Sequence, residues 1–547
     1  MSEAVLMISR LYFFFDGGLP AHKRDIRLER LEKTRKQLRT YRQVYPQSPQ
    51  LTSAAGEPAD LNQAVWKHVA LSTRQATPPP PPFMVASVIE TLLQTKWRED
   101  LQIVPGEADA FCAQAAKATD AAVLTSDSDL VVYDLGDHGW VILLHSMERT
   151  YRASTGQSYI TAFGLNPASV AKRLTVPSLL LFGFERYMDP SVSVATVKDR
   201  ARNRGRVEKY KTEYSAYTMQ YSPTNPAAVN LILNTVDPRT AELLVDMNNV
   251  SAASAHLFLP VLFEDPSRDS SWSYGSLFRQ LACSILLLNQ SLAPKPVFEY
   301  ARKGGRIAAT SVNAVRPAEI NQHIADVIHL FDQYLGLNSK VALSEGSVVL
   351  HWWILGLHCV CEQKTNKGKT PPTVSVYRIL GLSSVRATAS WTWDDLHLHA
   401  NTQAVLYSIR ILAQIVRHVI QRDGTFRLDV PTELQELHLR LETMPDIQDL
   451  FLDLPQLRAY LSSTPDRALK AVKPLLELIE QEQVEEEKIA PGHASPNSSN
   501  SGQAESETRA SAPSATGTVQ NCAAGKQKLG QRRGMNSNSF SILMQDI

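Results

Sequence analysis

The sequence predicts an α/β layer with a mostly parallel sheet, then a mainly helical second domain. Three observations predict it. Short apolar strands alternate with helical periods between residues 84 and 144. Beyond about residue 165, long apolar-periodic segments dominate and strand-like runs are few. From Ile489 onward Ser, Gly, Asn, Thr and Ala prevail, a composition that cannot bury enough apolar surface to order itself.

Residues 11–15, Leu-Tyr-Phe-Phe-Phe, read as an aromatic strand ending at the turn Asp16-Gly17-Gly18. From Pro20 to about Tyr45, Lys23, Arg27, Arg30, Arg35, Arg39 and Arg42 recur at helical spacing with Arg24 beside them, predicting an exposed basic helix. Residues 46–82 are Pro-rich and end in five consecutive prolines, Pro78 to Pro82, which favour a stiff extended segment. Helix is expected over 84–97 and 107–118, and strand over 101–104 and 121–125. Residues 130–133 and 140–144 read as a hairpin across Gly136-Asp137. The helical domain rests on apolar periods at 227–244, 272–288, 317–335, 396–422 and 468–488. The expected organisation is therefore 1–164, 165–488 and a disordered tail over 489–547.

Composition narrows the function classes. The 547 residues are 44% hydrophobic, enough for a real core over two or three domains. Lys plus Arg number 56 against 55 Asp plus Glu, which excludes a uniformly basic nucleic-acid coat but not a local basic face. Five Cys exclude a disulfide scaffold and suit a reducing compartment. No apolar stretch is long enough to span a bilayer. The first residues lack a basic region and a small-residue cleavage site, so they are read as structure and not as a signal peptide.

Five acids fall at places where an open parallel sheet binds ligands. Asp16 ends a strand, Glu107 and Asp109 open a helix after Pro105-Gly106, and Asp127 and Asp129 follow a strand. Clustered carboxylates suit Mg²⁺, a hard cation that takes oxygen ligands. Two such ions can activate water and stabilise a leaving oxygen in phosphodiester cleavage. Each acid also has an ordinary reading. Glu107 and Asp109 suit a helix N-terminus, and Asp16, Asp127 and Asp129 suit turns.

The segment Val104-Pro-Gly-Glu-Ala-Asp-Ala-Phe-Cys-Ala, followed by Asp120-Ala-Ala-Val-Leu-Thr-Ser-Asp-Ser-Asp-Leu-Val-Val-Tyr, resembles the internal region of flap-endonuclease/XPG-type nucleases, which have a PIN-like fold. Phe13-Phe-Phe-Asp-Gly-Gly-Leu-Pro resembles the end of that family's N-terminal region, where a basic helix follows Asp-Gly. Arg302-Lys-Gly-Gly-Arg-Ile and residues 399–413 resemble parts of the asteroid branch. The resemblance implies Mg²⁺ (or Mn²⁺) held by Asp16, Glu107, Asp109, Asp127 and Asp129. Glu185 stands near the place of the family's last acid. The implied activity is structure-specific DNA endonuclease, on DNA with single-stranded or flap character. Lys23, Arg24, Arg27 and Arg30 would meet phosphates. A nuclear or cytoplasmic location is expected, nuclear favoured, with no membrane partner.

Two departures keep a second reading open, that of a catalytically inactive scaffold binding nucleic acid or protein. The family's first strand and its acid precede the Asp-Gly motif, and no counterpart stands in this sequence. The Gly-rich helix-hairpin-helix is replaced by Asp189-Pro-Ser-Val-Ser-Val. A lost central strand is expected to expose sheet edges. His351-Trp-Trp-Ile-Leu-Gly-Leu-His-Cys-Val-Cys lacks zinc-ligand spacing and reads as buried packing. In the tail, Lys526, Lys528, Arg532 and Arg533 form a small basic patch, and the cluster at Phe540 is a candidate protein-docking motif. The helical domain is a second candidate surface for a protein partner.

Overall fold

A computed structural model of the chain describes residues 10–49, 76–152, 156–221, 233–288, 294–335, 345–382, 390–422, 425–426, 430–462, 475 and 477. The expected tail over 489–547, most of the helix expected over 468–488 and much of the Pro-rich segment lie outside them.

β1 (Phe13–Asp16) is followed by α1 (Arg24–Val44) and α2 (Met84–Leu93). The chain returns as β2 (Leu101–Val104), parallel to β1, so that Asp16 stands opposite Val104. α3 (Ala108–Thr119) then leads to β3 (Ala122–Thr125). Ala110, Ala113 and Ala116 form the buried stripe of α3, and Asp120 ends the helix in the left-handed region. β4 (Trp140–Leu143) pairs in parallel with β3. β5 (Glu148–Arg152) and β6 (Gln157–Thr161) form a separate antiparallel hairpin, and β7 (Gly164–Leu165) runs antiparallel to β4. Among the described residues the parallel strands thus fall into two short sheets, β1–β2 and β3–β4–β7.

One expectation is corrected here. Residues 130–133 do not form a hairpin with β4. Residues Ser128–Val132 make a 3₁₀ turn, and the partner of β4 is the parallel strand β3. The Asp127 side chain accepts from the Asp129 N–H at 2.9 Å and starts that turn. Leu130, Val131 and Val132 are all buried, whereas a half-exposed strand would alternate.

Helices α4 (Pro167–Leu174), α5 (Leu179–Met188), α6 (Val194–Arg202), α7 (Arg204–Lys209) and α8 (Lys211–Met219) follow. The remainder is α9 (Pro238–Asn248), β8 (Ala255–Phe258), α10 (Ser276–Leu288), β9 (Val297–Lys303), β10 (Arg306–Val312), α11 (Ile320–Leu335), α12 (Glu345–Thr365), α13 (Thr373–Ile379), α14 (Trp393–Ile420), α15 (Thr432–Leu441), α16 (Ile447–Leu450) and α17 (Leu454–Ser462). β9 pairs with β8 in parallel and with β10 antiparallel. α14 is the central helix of this half. Thr392 and Asp395 make a capping box at its start, and apolar residues are buried on every face, as in a helix enclosed by others. On α12, Trp352 and Trp353 are fully buried, and Trp353 Nε1 donates to the Leu450 carbonyl at 2.7 Å. Cys359 and Cys361 pack there as buried thiols, in keeping with the packing reading.

Two apolar clusters result. The smaller runs from α3 to α6 and joins Val123 and Val141 with Leu165, Val170, Phe182 and Val197. The larger unites Tyr41, Leu101 and Ile103 with α9 to α17. β2 therefore belongs to one core and β3 to the other, and the start of α3 lies at the seam. No helix among the described residues is long and apolar enough to cross a membrane.

Candidate metal centre

Local chain geometry carries the acids to that seam. Gly17 N–H donates to the Val104 carbonyl at 2.8 Å, which closes the end of β1 onto β2. A Cβ on Gly17 would stand 2.3 Å from that oxygen, so only glycine permits the approach. Asp16 Oδ1 accepts from the Ala108 N–H at 2.7 Å, capping α3 where the Glu107 side chain makes no cap. Asp109 lies in the first turn of the same helix, and Asp127 and Asp129 begin the turn after β3.

Burial, followed by the charges of Asp127, Asp16 and Glu107, pushes the Asp109 carboxyl up to about 7, against a smaller opposing pull from Lys23. Burial, then Asp127, also raises Asp129. The five acids thus share one field. Lys23 enters it as the resident cation, with Nζ 2.5 Å from Glu107 Oε1. Among the described residues, no three His, Cys, Asp or Glu side chains are drawn together tightly enough to hold a metal ion.

Glu185 stands apart in role. It is buried on α5 and takes both nitrogens of the Arg206 fork at 2.8 Å, a structural ion pair. The expectation of an exposed basic helix is also revised. Arg24 lies 3.4 Å from Asp246, Arg27 pairs with Glu242, and Arg42 lies 3.5 Å from Asp265. Arg27 also covers the Phe258 ring at 5.1 Å. These cations fasten α1 to the helical half, because Glu242 and Asp246 on α9 would otherwise be buried without counter-charge. Arg30, Lys33, Lys36 and Arg39 are the exposed cations of α1.

Two residues of this neighbourhood escaped the sequence reading. Tyr133 and Tyr221 meet edge to face with ring centroids 5.2 Å apart. Burial, with smaller contributions from Asp129, Asp127 and Glu107, pushes the Tyr221 hydroxyl up to about 12. The signal was the helical spacing of Tyr210, Tyr214, Tyr217 and Tyr221.

Residues 80–314 match the family described as XPG domain containing. Glu107, Asp109, Asp127, Asp129 and Glu185 lie inside the matched region, and Asp16 and the basic helix lie before it. The chain is also 25% identical over 317 residues to Asteroid homolog 1 of Schizosaccharomyces pombe (strain 972 / ATCC 24843), covering 55% of this chain and 52% of that protein. The chain thus spans about half the length of the curated relative it matches. No solved structure matches. Together the two matches support an XPG-like, asteroid-like protein of the nuclease superfamily.

Proposed function

We propose that the chain is a divalent-metal-dependent endonuclease acting on DNA of single-stranded or flap character. The observation that carries this reading is the raised Asp109 carboxyl, pushed up by burial and then by the charges of Asp127, Asp16 and Glu107, acids that come from three separate segments. Asp16, Glu107, Asp109, Asp127 and Asp129 would hold Mg²⁺ or Mn²⁺, and their oxygen-only donor set fits those hard cations. When bound, the ions supply a water of lowered pKa and charge for the departing oxygen. The chain's own part is to fix the acids on rigid segment ends and to bring cations to the phosphate. Lys23, already at the carboxylates, and the exposed Arg30 are suited to that contact. Arg24, Arg27 and Glu185 are left out, since each has a structural ion-pair partner. Nucleases with this domain usually use divalent metals. A nuclear site of action is part of the proposal.

A second reading has its own observation. Glu107 is bridged by Lys23, Asp16 is bonded to the Ala108 N–H and Asp127 to the Asp129 N–H, so three of the five carboxylates already have internal partners. That arrangement also suits an inactive scaffold. Cleavage of a 5′-flap oligonucleotide in Mg²⁺ separates the two. The nuclease reading expects cleavage by the wild type and its loss, by at least about a hundredfold, in Asp127→Asn/Asp129→Asn. Equal products from both proteins, or none from either, would leave the scaffold.

A further inference from the structure

A second constellation lies outside the acid cluster. Ser254 lies just before β8, and His256 is the second residue of that strand. Ser254 Oγ is 3.1 Å from His256 Nε2, and His256 Nδ1 is 2.8 Å from Asp246 Oδ2. The other Asp246 oxygen lies 3.4 Å from an Arg24 nitrogen. An ionised carboxylate only accepts, so in the neutral ring Nδ1 carries the proton. The Nε2 lone pair then faces Ser254, whose hydroxyl donates to it. This is the polarity of a serine nucleophile beside a general base, with an acid orienting the ring.

The His256 ring lies nearly parallel to Phe258, Phe298 and Tyr300, with centroids 5.9–6.4 Å away. Lys295 Nζ donates to the Asp246 and Met247 carbonyls at 3.0 and 3.1 Å and holds the end of α9 that carries Asp246. His256 and Asp246 are buried, whereas Ser254 is only half-buried and follows the exposed Ala253. The nucleophile is reachable and its two supporting groups are shielded.

We propose that Ser254, His256 and Asp246 form an acyl-transfer site for small carboxylic esters, independent of the acid cluster. Ser254 Oγ bonds to the ester carbonyl carbon while its proton passes to His256 Nε2. The alkoxide leaves with that proton, and the acyl group remains on Ser254. A water then gives its proton to the same nitrogen and its oxygen to the carbonyl carbon. The carboxylic acid departs, and Ser254 recovers its proton. Asp246 is a positioning residue that keeps the imidazole in the required tautomer.

The test exposes the full-length chain to a fluorophosphonate and maps the adduct by mass spectrometry. A single adduct on Ser254 is expected in the wild type and in Asp127→Asn/Asp129→Asn, so the outcome does not depend on the nuclease reading. Ser254→Ala should keep the wild-type melting temperature and take no label. Asp246→Asn should label at least about tenfold more slowly. If that variant fails to fold, the comparison of wild type with Ser254→Ala decides alone. An unlabelled wild type, or label spread over other serines, overturns the proposal and leaves His256 as a buried ring satisfied by two hydrogen bonds.

Discussion

Asp109 concentrates the electrostatics of the site in one carboxyl. Its folded-state pKa of about 7 lies above the ordinary 3.8. Between those values the native chain binds a proton that the unfolded chain has released, so stability falls as pH rises through the window. Asp109→Asn removes the buried charge and its repulsion with the neighbouring acids. At pH 7.5 in EDTA it should raise unfolding stability by about 1–2 kcal/mol, measured by urea denaturation. No gain would mean that the acids do not repel in solution. Gly17→Ala acts on geometry instead, forcing the Val104 carbonyl away from the end of β1. A loss of about 2 kcal/mol is expected in the same assay. The positions of the five acids were legible because each follows a strand or opens a helix. The partners of Lys23, Arg24 and Arg27 were not, since Glu107, Glu242 and Asp246 lie 84 to 222 residues along the chain. Local spacing carries no signal of such pairings.

At the level of elements, α1 is a fastened helix. Its inner cations meet acids of the helical half, and Glu32 Oε1 accepts the Ile307 N–H at 2.5 Å. Glu242→Gln strips Arg27 of its counter-charge. The variant should lose about 2–4 kcal/mol and speed amide exchange along α1. Unchanged exchange would show that the Arg27–Glu242 pair does not hold α1. Acid sensitivity belongs to α12 and α14. Burial lowers His358 and His399 from 6.5 to about 4. In that interval the unfolded chain takes up protons that the native chain refuses, so stability falls as pH drops from 6.5 toward 4. His399→Gln should flatten this slope in thermal melts between pH 6.5 and 5, and an unaltered slope would contradict the assignment. Helix periods at 272–288, 317–335 and 396–422 were readable because long apolar periodicity has few alternatives. The 3₁₀ turn at Ser128–Val132 was not, because full burial of Leu130, Val131 and Val132 imitates a buried strand in sequence.

Across the whole molecule, the two apolar cores meet where the acids gather. The smaller core supplies β3 and the turn bearing Asp127 and Asp129, while the β1–β2 pair, with Asp16, packs with the larger. The site is therefore sensitive to how the halves seat against each other, and a cation bound among the acids would tie them together. Sequence periodicity revealed an α/β layer and a helical region. It could not reveal that residues 165–201 pack with the layer, because a helix period does not name its partner. The most direct test of the central claim is Mn²⁺ titration of the wild type and Asp127→Asn/Asp129→Asn, followed by melting temperature. The account predicts a saturable rise of several degrees for the wild type and little or none for the double variant. A wild type indifferent to Mn²⁺, or the same rise in both proteins, would contradict it.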